Sequence, residues 1–145
     1  MEQIKKYMNP KWWLIVTGVL FLLANLVNYI TAADVATVGF EGHYDTLSDR
    51  ELAIAEHYEQ GWGLFGIPYG IFAISVGLLF GKKEQAKMAM VAGITFIVLF
   101  PILLFVGNSN NYVVPVEQFA PLFVVLLGLV ASGYLHREGG EGVSE

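Results

Sequence analysis

Residues 62–80 read WGLFGIPYGIFAISVGLLF and contain no charged side chain. Nineteen residues at about 1.5 Å rise cover roughly 28 Å, close to the hydrocarbon thickness of a bilayer. The small residues in this stretch follow a pattern. Gly63, Gly66, Gly70, Ala73 and Gly77 step by three and four, and at about 100° per residue they fall within one stripe of roughly 80°. No hydrophobic force draws helices together in lipid, so close backbone approach must do so, and small residues permit it. The stretch is expected to be a membrane-spanning helix and the one on which the others pack. Pro68 removes a backbone donor and is expected to kink it.

Outward from this span, the same composition continues. The chain is 55% hydrophobic and 14% charged over 145 residues, against about 25% charged in an average soluble domain. Spans are predicted at about 12–33, 61–80, 87–107 and 115–135, with a second kink at Pro101. Four short-linked spans predict an all-α membrane protein. Its up-down-up-down four-helix bundle forms one domain, 1–137, followed by a disordered polar tail, 138–145. The basic N-terminus before the first span resembles a secretory signal, but 22 uncharged residues exceed the usual apolar core of about 7–15.

Residues 34–60 form the one long connection, with seven carboxylates and a single Arg50. Its first part shows no clear period. Ser48-Asp49-Arg50-Glu51 then has capping-box spacing, in which serine and glutamate satisfy each other's backbone donors. Leu52, Ala55, Tyr58, Trp62 and Phe65 continue at helical spacing. An extra outer-surface helix is expected from about Asp49, either running into the second span or bending near Gly61.

Orientation follows from the basic residues. Lys5, Lys6, Lys11, Lys82, Lys83, Lys87 and Arg137 fall on the side of the termini, and only Arg50 on the other. The positive-inside rule places a multi-pass cell-membrane protein with both termini cytoplasmic and the acidic loop 34–60 outside.

Function classes are narrowed mainly by what the spans lack. Beyond Lys87 at the very edge of the third, they hold no lysine, arginine, aspartate or histidine, and Glu117 is the only acid near one, about a turn from its outer end. Ion-coupled transporters usually keep an ionisable group at mid-membrane. The chain has no cysteine, which removes disulfides, thiolate metal sites and thiol redox chemistry. The cysteine pairs of four-span quinone reductases and the outer-loop cysteines of claudins and tetraspanins are therefore missing. A net charge of −5 does not suit nucleic acid.

Two groups of residues remain. Gly63, Gly66, Gly70, Ala73, Gly77, Gly93, Gly128 and Ser132 are expected to be helix-packing positions. Asn25, Asn28, Tyr69, Asn108 and Glu117 are the candidates for a polar cluster that, together with Glu59, would line an outward-facing vestibule. The favoured reading is the ordinary one, interhelical hydrogen bonding for the two amides and interfacial or capping positions for the rest. His43, Asp45 and His57 are the candidates for a metal, although their spacing matches no metal motif. The reading that fits best is a small non-catalytic accessory or structural subunit of a larger membrane complex, not itself an enzyme and needing no cofactor. Its partners would be other integral membrane proteins and the bilayer, in a homo- or hetero-oligomer. The alternatives are a small-solute carrier or channel using the vestibule, and a membrane enzyme or metal-binding accessory using the outer-loop histidines and carboxylates.

Overall fold

The structure, a computed structural model, describes residues 2–40, 46–113 and 116–137, with the side chains of Glu2 and of residues 116–118 outside that description. The described residues form helices only: α1 (Glu2–Tyr7), α2 (Pro10–Ile30), α3 (Ala32–Phe40), α4 (Asp49–Leu79), α5 (Lys82–Ser109) and α6 (Val116–Leu135). The bundle is all-helical and membrane-like. Three helical stretches, Gln3–Ile30, Asp49–Leu79 and Lys82–Ser109, are long and apolar enough to cross a bilayer, while the described apolar part of α6, Phe119–Leu135, is shorter. Large apolar side chains such as Leu23, Phe72, Val91 and Val124 stay exposed around the perimeter, as lipid-facing positions do.

Each long helix begins on a local signal. Asn9 caps α2, its side chain accepting from the Lys11 N–H at 3.0 Å, and Pro10 fills the first helical position, where no donor is needed. Ser48 caps α4 in a complete capping box: the Glu51 N–H donates to its hydroxyl, and its own N–H donates to the Glu51 carboxylate at 2.9 Å. Ser48→Ala should cost about 1 kcal/mol of local helix stability. Faster amide exchange confined to the first turns of α4 would be the sign of it, and unchanged exchange there would count against the cap.

Of the two layouts expected before the second span, the structure shows the helix from Asp49 running on into it, with no break near Gly61 to set off a separate surface helix. α4 runs unbroken for 31 residues, from the capping box through Gly61, Gly63 and Pro68. At about 1.5 Å per residue that is roughly 46 Å, longer than a bilayer core, so one end of α4 projects from it. The helix does not break at its glycines because its neighbours hold that region: Gly63 lies against the backbone of Asn25 and Tyr29. The separate short helix is α3, in the stretch expected to be loop. Its buried residues Ala32, Ala36 and Gly39 recur at i, i+4 and i+7, and the helix packs on α4.

The hub also differs from expectation. α4 packs chiefly on α2 and α3 and meets α5 only sparsely, whereas α2 touches α3, α4, α5 and α6. The molecule is two antiparallel pairs, α2 with α4 and α5 with α6, joined through α2. Gly18 on α2 supplies the reason, because it faces Gly70 and gives α2 its own point of close approach. The second pair closes at Gly93, which lies against Leu126 and Val130, and the Trp13 ring covers Gly128.

Near the α4–α5 turn the helices close on Leu14, Val76, Ala89 and Leu129, flanked by Trp13 and Ala92. Buried Gln85 ties that end, donating to the Gly77 and Phe80 carbonyls at 2.9 Å each, two of the acceptors that the end of α4 leaves unpaired. Farther along, aromatic rings occupy the space between the pairs. Phe21 and Phe96 lie 4.7 Å apart by centroid, Phe96 and Phe100 5.8 Å, and Phe100 and Phe119 5.8 Å. Beyond Phe119 the bundle opens.

Candidate functional site

The opening is a cavity of about 980 Å³ between the ends of the two helix pairs. α3 supplies Asp34, Val35, Val38, Gly39 and Phe40 to its walls, and α4 supplies Glu51, Ile54, Ala55, Tyr58, Glu59 and Trp62. Asn28 comes from α2, Leu103 and Gly107 from α5, Tyr112 and Val113 from the following turn, and Phe119 from α6.

One polar arrangement organises this site. Asn28 Nδ2 donates to the backbone carbonyl of Glu59 at 3.0 Å and to its Oε2 at 3.2 Å. The Tyr112 hydroxyl donates to Glu59 Oε1. Both carboxylate oxygens of Glu59 are thus held by neutral donors from elements on either side of α4. Charge-assisted bonds of this kind are stronger than neutral ones and fix the acceptor's direction.

Tyr112 also joins α3 to the rest. Its ring occupies the space that a side chain at residue 39 would need, so only glycine fits there. The ring meets Phe40 edge-on at 5.1 Å, and the Val113 N–H donates to the Gly39 carbonyl at 2.6 Å. The turn that aims Tyr112 uses Asn111 in a left-handed conformation, φ 59°, which asparagine tolerates better than most residues. Burial, and then the hydrogen bond and charge of Glu59, push the Tyr112 phenol above its ordinary ionisation range.

Among the described residues expected to line a polar vestibule, the structure brings Asn28 and Glu59 together in the cavity wall. Asn25 donates to the Phe21 carbonyl of its own helix at 2.8 Å and packs on Gly66. Tyr69 is exposed and meets Phe96 edge-on. Asn108 is exposed and donates to the Leu104 carbonyl at 2.8 Å. The Glu117 side chain lies outside the described residues, as do His43, Asp45 and the tail. His57 is exposed on α4, and among the described residues no three His, Asp or Glu side chains could hold a metal ion together.

Of the small residues, Gly63, Gly66, Gly70 and Gly77 all lie against α2, meeting Asn25 and Tyr29, Asn25, Gly18 and Leu22, and Lys11 and Ile15 in turn. Ala73 is half-buried on the same helix, and Ser132 is buried with its hydroxyl donating to the Leu129 carbonyl at 2.7 Å. Sequence reasoning missed Tyr112, Gly39 and Gln85. The run Ala32, Ala36, Gly39 was the one signal that could have revealed α3 and, through it, a surface for Tyr112.

No family model, no curated protein and no solved structure matches this chain.

Proposed function

We propose that this protein is a non-catalytic accessory subunit of a larger membrane assembly and works by contact with other integral membrane proteins. Both termini lie in the cytoplasm, and the segment 34–60 lies outside. The observation that carries this reading is an aromatic stripe on α4. Tyr58, Trp62, Phe65 and Tyr69 recur at i, i+4, i+7 and i+11, all exposed, with Phe65 at 77%. On one helix they span an arc of about 60°. Aromatic side chains give large contact areas at small entropic cost and are enriched at the centres of interfaces. The stripe runs from the outer segment into the apolar part of α4, farther than an interfacial belt needs.

The interior supports the same reading. Three of the hydroxyls and amides along the helices turn back on their own backbone: Asn25 on Phe21, Ser75 on Ile71 and Ser132 on Leu129. The bundle presents neither a buried acid–base pair nor an activated nucleophile among its described residues.

Photo-cross-linkers placed at Phe65 and Val124 in the native membrane test the proposal. A discrete heteromeric adduct from either position is the expected result. A lone monomer in gently solubilised membranes, with no adduct from either site, would overturn it. The chain has no cysteine of its own, so Tyr58→Cys gives a clean label for sidedness, and an impermeant reagent should reach it from outside.

A second reading, a small-solute binding protein or carrier with an outward-facing vestibule, is favoured by one observation, the cavity that ends in the Glu59 network.

A further inference from the structure

The cavity has a chemical character of its own. Most of its wall is apolar: Val35, Ile54, Trp62, Leu103 and Phe119 come together from four helices. Its volume of about 980 Å³ lies within the range of small-molecule sites, roughly 300–1,000 Å³. Among the described residues its charged lining groups are all carboxylates, Asp34, Glu51 and Glu59, with no lysine, arginine or histidine.

Glu59 is the informative one. Asn28 and Tyr112 orient it but bring no charge, and among the described residues it makes no ion pair. It therefore presents a carboxylate held in a fixed direction at a mostly apolar wall. An anion would be repelled here. A neutral solute would leave the carboxylates without a counter-charge. A metal ion needs several converging ligands, and no such group is present among the described residues. The remaining class is an organic cation. The aromatic faces of Tyr58 and Trp62, in the same wall, attract a cation that carries apolar substituents, through their quadrupoles as well as by contact.

We propose that the cavity binds a hydrophobic organic monocation, an alkyl- or aryl-substituted ammonium or phosphonium. Its charge faces Glu59, and its apolar body lies against Trp62, Leu103 and Phe119. The sparse contact between α4 and α5 leaves room for that body between them. This inference rests on the vestibule reading, and it shares Tyr58 and Trp62 with the contact reading.

Equilibrium dialysis of tetraphenylphosphonium against the full chain in phosphatidylglycerol nanodiscs tests it, with empty discs as background. Saturable binding is expected, together with no saturable binding of tetraphenylborate, which has the same shape and the opposite charge. Glu59→Gln retains an acceptor for Tyr112 and should weaken binding at least tenfold with little change in melting midpoint. Asp34→Asn, on an exposed side chain, provides a second neutralisation that does not touch the Glu59 network, and it should weaken binding about threefold. Competition by a short-chain phosphatidylcholine distinguishes sources: displacement assigns the cation to a choline headgroup, and no displacement assigns it to a free solute. Equal binding of tetraphenylborate, or of neutral triphenylphosphine oxide, would overturn the cation assignment and leave the vestibule reading standing. Failure of all three probes to bind above background would overturn both, and binding indifferent to both substitutions would overturn the role given to the carboxylates.

Discussion

Gly70→Leu should lower the melting midpoint of the detergent-solubilised protein by on the order of 10 °C, whereas Leu79→Ala should shift it by no more than about 2 °C. A Cβ at residue 70 would stand 2.7 Å from the Gly18 carbonyl oxygen and 2.8 Å from the Leu22 amide nitrogen. Both are backbone atoms of α2, so no rotamer change can make room and the helices must separate. Overpacking of this kind costs about 3 kcal/mol at the upper end of its usual range. The effect is the more severe because helices in lipid associate through contact alone. Leu79 is 79% exposed and loses only lipid-facing surface. Gly18→Leu should reproduce the loss from the other side, since its Cβ would stand 2.7 Å from the Gly70 carbonyl oxygen. The two changes should be less than additive, because either one already opens the same crossing. Equal midpoints for Gly70→Leu and Leu79→Ala would mean that the α2–α4 contact is not what holds this pair.

The α2–α4 contact is also where the sequence was most legible, because both its requirements are local. A span length of apolar residues and a stripe of small residues at helical period can be read from residues 62–80 alone. The capping box at Ser48 and Glu51 is local in the same way. What could not be read depends on distant partners. The choice of α2 as hub requires knowing that Gly18 meets Gly70, 52 positions away. α3 is short and contains valines and a threonine, which lower helix propensity, and it is held mainly by packing on α4 and by Tyr112. The polar-cluster candidates rest on residue type and depth, but depth does not determine direction. Asn25 and Asn28 are less than one turn apart, and one bonds its own backbone while the other crosses to Glu59. The cavity combines α2, α3, α4, α5, α6 and a turn, so no single stretch carries its signature.

Tyr112 is where these distant dependencies meet, and its removal should have the other large effect. Tyr112→Ala takes a half-buried ring from between Gly39, Phe40 and Glu59, at a cost of about 3 kcal/mol, the low end for a core aromatic. The loss should be local: α3, residues 32–40, should exchange its amides much faster, while the lower half of α2 and α4 stays protected. Unchanged protection of α3 would show that Tyr112 does not anchor it. Tyr112→Phe isolates the hydroxyl. Donation to a charged carboxylate contributes about 1.5 kcal/mol or somewhat less at this partly exposed site. The pH dependence has a definite sign. The folded chain holds the phenolic proton more tightly than the unfolded one, whose ordinary value is 10.0. Above about pH 10 the folded state therefore carries more bound protons, and stability falls as pH rises. The contribution is whole below that value and is lost as pH climbs toward the raised folded value. The stability gap between wild type and Tyr112→Phe should accordingly be constant from pH 7 to about 9.5 and narrow through pH 11, as followed by denaturant or thermal unfolding of both proteins in parallel. Every other ionisable group is common to both chains and cancels in the difference. A gap that stays constant to pH 11 would place the Tyr112 proton away from Glu59, and with it would go the fixed orientation of the carboxylate on which the cavity's charge depends.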